Sequence, residues 1–200
     1  MKGAGTESPA ENGGVNAGWR AIAVGRPVAA MLVVMGLVAA GVGAVLMSGA
    51  GRTADGSAPR VGQVAPDISL FEVRNPAHVL RLSAFRGHPV VLTFYASWCG
   101  SCYREMPLFQ QAYKASGSKL VVLAVDVGED PGQARQALDA AGATFPAVLD
   151  RAGTAAATYR IPGVPATYFI DTHGIVRAFG AGEIDQAHLR AALVALGASF

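Results

Sequence analysis

Val90-Val91-Leu92-Thr93-Phe94-Tyr95-Ala96-Ser97-Trp98-Cys99-Gly100-Ser101-Cys102 is the stretch that decides the fold. Its first six residues are apolar, β-branched or aromatic, the composition of a buried strand. The strand ends in a turn that delivers two cysteines, and the segment from Tyr103 to about Lys114 favours helix. The cysteines therefore sit where a strand hands over to a helix. At i and i+3 they are neighbours on a helical surface, so their sulfurs can meet. They are also the only two cysteines in the chain. A helix N-terminus offers unpaired N–H groups and partial positive charge, both of which stabilise a thiolate. The pair reads as redox-active, with Cys99 as the more exposed, attacking thiol and Cys102 as the resolving one.

Two other uses of the pair carry less weight. A structural zinc site needs four ligands, and His78, His88, His173 and His188 form no H-x₃₋₅-H pair. A purely structural disulfide between i and i+3 closes a loop too small to stabilise the fold much.

Phe94 to Pro107 matches W-C-x-x-C-x-x-E-x-P at Trp98, Cys99, Cys102, Glu105 and Pro107. This segment resembles the active site of the thioredoxin superfamily. It is most similar to the membrane-anchored, extracytoplasmic TlpA/ResA-like thiol-disulfide oxidoreductases, which include cytochrome c maturation factors. The resemblance runs from about Val61 to the C-terminus. It implies an α/β, thioredoxin-like fold, a central mixed sheet flanked by helices, with an N-terminal β-hairpin extension. Val164-Pro165 resembles the family's second signature, a cis-proline facing the cysteines. A cis bond there would turn the Val164 backbone toward the pair and let it bond an extended substrate.

The resemblance implies Cys99 and Cys102 as catalytic residues. Trp98, Gly100, Ser101, Glu105, Val164 and Pro165 would support them or bind substrate. No metal and no organic cofactor is implied; the redox-active disulfide is the whole centre. The partners implied are protein thiols or disulfides and a membrane electron donor that recycles the pair. The expected direction is reduction, for example in cytochrome c maturation. A disulfide-forming oxidase of the same fold, or a non-enzymatic carrier holding a soft ion such as Cu(I) on the same cysteines, remain alternatives. A thiol peroxidase fits less well, because its P-x-x-x-T-x-x-C pattern meets Ala96 at the threonine position.

Three positions depart from thioredoxin itself. Ser101 stands where related pairs often carry proline, which should shift the pair toward a more oxidising potential. Thr93 stands six residues before Cys99, where thioredoxin has a buried proton-shuttling aspartate. Glu105 is the nearest acid in sequence and could substitute, although a surface carboxylate near a helix N-terminus is an equally good reading. Pro107 matches the proline that kinks the family's active-site helix. His88 lies in a loop and reads as a solvated polar residue.

The chain has 200 residues, 52 % hydrophobic and 15 % charged, with formal net charge +2. That balance gives no electrostatic case for nucleic-acid binding. Residues 1–26 read as a disordered cytoplasmic tail, rich in Gly, Ala, Asn and Ser up to about Gly18. An uncharged run then extends from Pro27 to Gly51, bracketed by Arg26 and Arg52, and is long enough to cross a bilayer. Residues 27–50 are accordingly expected to be a single transmembrane anchor, with Trp19 at the interface. A cleaved signal ending near Ser48-Gly49-Ala50 is the competing reading. Lys2, Arg20 and Arg26 before the run favour an inside N-terminus and an extracytoplasmic catalytic domain. Residues 51–60 form a linker and 61–200 the thioredoxin-like domain.

Within that domain, strands are expected over Ile68 to Val73, Val79 to Leu82, Leu120 to Asp126, Phe145 to Leu149, Thr167 to Ile170 and Ile175 to Phe179, besides Val90 to Tyr95. Ser83 to Gly87 reads as a turn. Helices are expected over Pro131 to Ala141, Thr154 to Tyr159 and Ile184 to Leu196, the last with Leu189, Leu193 and Leu196 on one face.

Overall fold

The structure is a computed structural model and describes residues 58–197. The expected tail, the anchor and most of the linker lie outside the described residues. Among the described residues no helix is long and apolar enough to cross a membrane.

The sheet grows outward from Val90–Tyr95 (β3), every residue of which is buried. A strand without polar alternation must be covered on both faces, and β3 is. It pairs in parallel with Val121–Val127 (β4) and antiparallel with Ala166–Ile170 (β6). Ala147–Asp150 (β5) runs parallel to β4, and Val176–Ala181 (β7) antiparallel to β6. Ser69–Glu72 (β1) and Val79–Arg81 (β2) form a hairpin that adds to β5, giving the order β2-β1-β5-β4-β3-β6-β7. This is the mixed sheet with an N-terminal hairpin expected from the sequence.

Three helices, Gly100–Ser116 (α1), Pro131–Ala140 (α2) and Gln186–Ala195 (α4), bury their apolar sides on one face. Thr154–Tyr159 (α3), a 3₁₀ turn at Leu82–Phe85 and the segment around Ala65 and Ile68 cover the other. The cysteines share the first core with Met106 and Phe109 of α1 and with Leu189 and Leu193 of α4.

Several boundaries shift for identifiable reasons. α1 starts at Gly100 rather than near Tyr103, because the Cys99 side chain caps it. α2 is capped by Asp130, which accepts from Gly132 and Gln133 while Gln133 reaches back, and Pro131 opens the helix. Phe145 is not in β5; Pro146, with no N–H for a ladder, separates it, and Phe145 packs into the core instead. The Ser83 to Gly87 turn is in fact mostly the 3₁₀ helix. Ile184 lies before α4, which Asp185 caps through the His188 N–H at 2.8 Å. Leu189, Leu193 and Leu196 are buried together, as expected. In the turn Thr172-His173-Gly174, Gly174 has φ +73°, and a Cβ there would collide with the Arg86 guanidinium, which donates to the His173 carbonyl.

Candidate active site

β3 ends at Tyr95, and the chain turns over Ala96-Ser97-Trp98 before α1 begins. Cys99 is the helix N-cap, a position that Ser, Thr, Asp and Asn normally hold because their side chains accept a first-turn N–H. Here sulfur does so: the Cys102 N–H donates to Cys99 Sγ at 3.2 Å. The Ser101 hydroxyl lies 3.5 Å from the same sulfur. Cys99 and Cys102 form a disulfide with Cα atoms 5.3 Å apart. Once the bond is reduced, the same N–H and hydroxyl would stabilise a thiolate on Cys99.

Cys99 is 4 % exposed and Cys102 1 %, so the order matches the expectation but the oxidised pair is nearly covered throughout. What stands out to solvent is Trp98, at 73 %. Gly100 is exposed beside it and Ser101 half-buried. Val164-Pro165 is cis, as the sequence context implied. Pro165 is buried, and Val164 packs on the core cluster that contains both cysteines. The Pro165 carbonyl accepts from Gly182 at 2.9 Å. The structure therefore brings Trp98, Gly100, Ser101 and Val164 to the surroundings of the disulfide.

Glu105 overturns the surface reading. It is 1 % exposed, because it points inward from α1 under the segment that leads into α4. Its Oε2 accepts the Ile184 N–H at 2.9 Å. The Thr93 side chain lowers the proton affinity of the same carboxyl, and Thr167 donates to Thr93 across the β3/β6 pair at 3.0 Å. Burial pushes the Glu105 carboxyl up to about 7; the Ile184 N–H pulls against this, the Glu183 charge adds to it, and Thr93 pulls it down slightly. Thr93 cannot itself carry a proton as an aspartate would; the titratable carboxyl here is Glu105. Arg104, one residue before, grips Glu183 Oε2 through Nε at 2.9 Å and Nη2 at 2.6 Å. The loop before α4 is thus docked on α1 at two points.

A second carboxyl site was missed in the sequence. Glu129 accepts the Ser97 N–H at 2.7 Å and the Ser97 hydroxyl at 2.5 Å. Asp126, at the end of β4, accepts the Glu129 N–H at 3.3 Å. The visible signal was an aspartate closing an otherwise apolar strand, followed three residues later by Glu129. His88 is exposed, as expected. Among the described residues, no group of three or more His, Cys, Asp or Glu is arranged to hold a metal ion.

A strand, a capping cysteine, its disulfide partner and a cis Val164-Pro165 bond whose Val164 packs on their core cluster form one site, and comparison with known proteins agrees with it. The model of the AhpC/TSA family matches residues 61–179. The chain belongs to that family, on its TlpA/ResA-like thioredoxin branch. It is 35 % identical over 131 residues to the thiol-disulfide oxidoreductase ResA of Geobacillus kaustophilus, covering 65 % of this chain and 74 % of that one. The thioredoxin-like protein YneN of Bacillus subtilis is 31 % identical over 131 residues, covering 64 % and 75 %. A solved structure described as a thiol:disulfide interchange protein, DsbE, from Chlorobium tepidum is 32 % identical. It superposes with a TM-score of 0.62 over 70 % of this chain and 100 % of its own. This family member is a thiol-disulfide oxidoreductase with a Cys99–Cys102 pair.

Proposed function

We propose that the chain reduces disulfides of extracytoplasmic proteins, apocytochrome c among them, and is recycled by a membrane electron donor. Residues 27–50 would anchor it, leaving the catalytic domain outside the cytoplasm, where protein disulfides persist. The reading is carried by one observation: a disulfide capping a helix N-terminus, with Val164 packed on the core cluster that holds both cysteines. No hydrogen bond among the described residues uses the Val164 N–H or carbonyl, so an extended substrate would find both free. The likeness to the TlpA/ResA branch supports the direction.

The chemistry proposed needs no metal or organic cofactor. The Cys99 thiolate attacks one sulfur of a substrate disulfide, forming a mixed disulfide and releasing the other sulfur as thiolate. Cys102, deprotonated, attacks Cys99, forming the Cys99–Cys102 bond and freeing the reduced substrate. Glu105, with a carboxyl near neutral, is suited to take the proton that Cys102 gives up. Two electrons from the membrane donor then restore both thiols.

One observation favours the reverse direction. The Ser101 hydroxyl beside Cys99 Sγ stabilises the thiolate, and a stabilised reduced form makes a pair more oxidising. The test is to trap partners in cells with Cys102→Ser and to read the redox state of the wild-type pair at once. Trapped apocytochrome or other disulfide proteins, with the wild-type pair mostly reduced, is the expected result. A mostly oxidised pair would establish the oxidase. A variant that traps partners only as Cys99→Ser would reverse the roles of the two cysteines.

A further inference from the structure

Ser97 joins β3 to the turn that carries Trp98 and Cys99, and a carboxylate from beyond the neighbouring strand holds it. Glu129 takes the Ser97 N–H on Oε2 and the Ser97 hydroxyl on Oε1. A carboxylate that grips two donors of one residue fixes that residue's position and orientation. Cys99 follows two residues later, and its own N–H donates to Ala96 at 3.1 Å within the same turn. The nucleophile is therefore placed by a segment that Glu129 clamps.

Behind Glu129 stands Asp126. It follows Val122 and Ala124 on the sheet face that α1 and α2 cover, and in register it is the partner of Tyr95. It is 0 % exposed. Its Oδ1 accepts the Glu129 N–H, whereas its Oδ2 is the one buried side-chain polar atom among the described residues with no partner. An orphaned buried carboxylate oxygen is costly. A proton on Asp126 would relieve this, giving the carboxyl a donor to offer the neighbouring Glu129 carboxylate in place of a second negative charge.

We propose that Asp126 and Glu129 are positioning residues for Cys99: a proton kept on Asp126 bridges the two carboxyls, and the bridged pair holds the Ser97 turn in its reactive geometry.

The electrostatics agree with this arrangement. Burial first, and then the hydrogen bond and charge of Glu129, push the Asp126 carboxyl up to about 8, with Asp130 adding to the effect. Burial also works against Glu129, but hydrogen bonds from Asp126 and Ser97 outweigh it and hold Glu129 below the usual carboxylate range. The other groups that face the pair offer little relief. Tyr95 of β3 spends its hydroxyl on the Ala134 carbonyl of α2, and its own ionisation is suppressed by burial and by both carboxylates. Tyr103 of α1 and Arg74 also act on Tyr95. Arg74 is already bonded to Asp139 and to the Ala143 carbonyl. When Asp126 loses its proton, two carboxylates confront each other in a dry site, and the Ser97 clamp must loosen.

The test compares two rates in the full-length reduced protein across about pH 6 to about pH 9. One is attack on an insulin disulfide; the other is alkylation of Cys99 by iodoacetamide. Both need the thiolate, so their ratio cancels its titration and reports how well Cys99 is presented to a protein substrate. For the wild type the ratio should hold to about neutrality and then fall by roughly three- to ten-fold. Asp126→Asn, which can donate to Glu129 but cannot ionise, should keep the ratio level. Glu129→Gln should lower the ratio at every pH, since one amide oxygen must serve both Ser97 donors, yet also leave it level. A readout independent of turnover uses the oxidised protein, where neither cysteine titrates. With Trp19→Phe, Trp98 is the sole tryptophan, and its emission should show an alkaline inflection that Asp126→Asn abolishes. A wild-type ratio that stays level, or an inflection that survives Asp126→Asn, overturns the proposal.

Discussion

Two buried carboxyl sites lie around the segment that carries the disulfide, and they are built on opposite logic. Glu105 comes from the active-site helix itself and meets a neutral donor, the Ile184 N–H. Its elevated proton affinity comes chiefly from burial. Asp126 comes from the neighbouring strand and meets another carboxyl, so repulsion adds to burial. Glu105 can change charge while its N–H partner stays bonded. Asp126 cannot do so without disturbing Glu129 and, through it, Ser97. A carboxyl held by neutral donors is fitted to move a proton; one held by a second carboxyl is fitted to keep it.

The largest effect that could break this contrast concerns Glu105. Glu105→Gln keeps an acceptor for the Ile184 N–H but cannot take a proton. Single-turnover resolution of a mixed disulfide by Cys102 should slow by on the order of 10²-fold at neutral pH, the lower end of general acid–base contributions. If resolution is unchanged, Glu105 is a structural carboxyl only, and the contrast disappears.

Next comes stability against pH. Glu105 and Asp126 keep their protons in the fold at pH values where the unfolded chain has released them. The folded state then binds more protons, so stability falls as pH rises. For Glu105 the loss runs from its ordinary 4.5 to about 7, and for Asp126 from 3.8 to about 8. Glu129 and Asp171 act with the opposite sign, gaining stability as pH rises, but only below the ordinary carboxylate range. Urea titrations of the oxidised protein should therefore lose on the order of 3 kcal/mol for Glu105 alone over its window. Glu105→Gln should remove its own share of the slope between about 4.5 and about 7 and leave the slope of Asp126, which runs on to about 8.

Ser97→Ala sharpens the other half of the comparison. It removes the hydroxyl from Glu129 and leaves the backbone N–H bond in place. A loss of about 1–3 kcal/mol is expected for a hydrogen bond to a charged acceptor, measured by the same denaturation. The smallest effect is expected at Arg104–Glu183, an exposed ion pair. Glu183→Gln should leave the denaturation midpoint nearly unchanged, since exposed ion pairs add little, yet it should move the Glu105 titration toward the ordinary carboxylate value by removing a neighbouring negative charge. Carbon-detected NMR of the Glu105 carboxyl would measure that movement.

The cysteine pair was legible because its information is local. Two thiols at i and i+3, after a buried strand and before a helix, need no distant residue to define their geometry. The same holds for α2, whose Asp130-Pro131 start is written in adjacent residues, and for the Leu189/Leu193/Leu196 stripe. Phe145 misled because an aromatic next to a short apolar run reads as strand, whereas Pro146 interrupts the ladder there. Glu105 was recognised as an acid in the right pattern, but its burial was not readable from the helix alone.

What the sequence by itself determined is the chemistry: a redox-active cysteine pair where a strand hands over to a helix, and an α/β sheet to hold it. These follow from spacing and periodicity, which act over a few residues, while the proline opposite the pair was implied by resemblance to a family. What only the tertiary structure decided is where the protons reside. Glu105 meets Ile184 across 79 residues of sequence, and Ser97 meets Glu129 across 32. A carboxyl's proton affinity depends on the water it loses and the charges it meets. Both are set by which distant segments fold over it, and no pattern of neighbours along the chain contains that information.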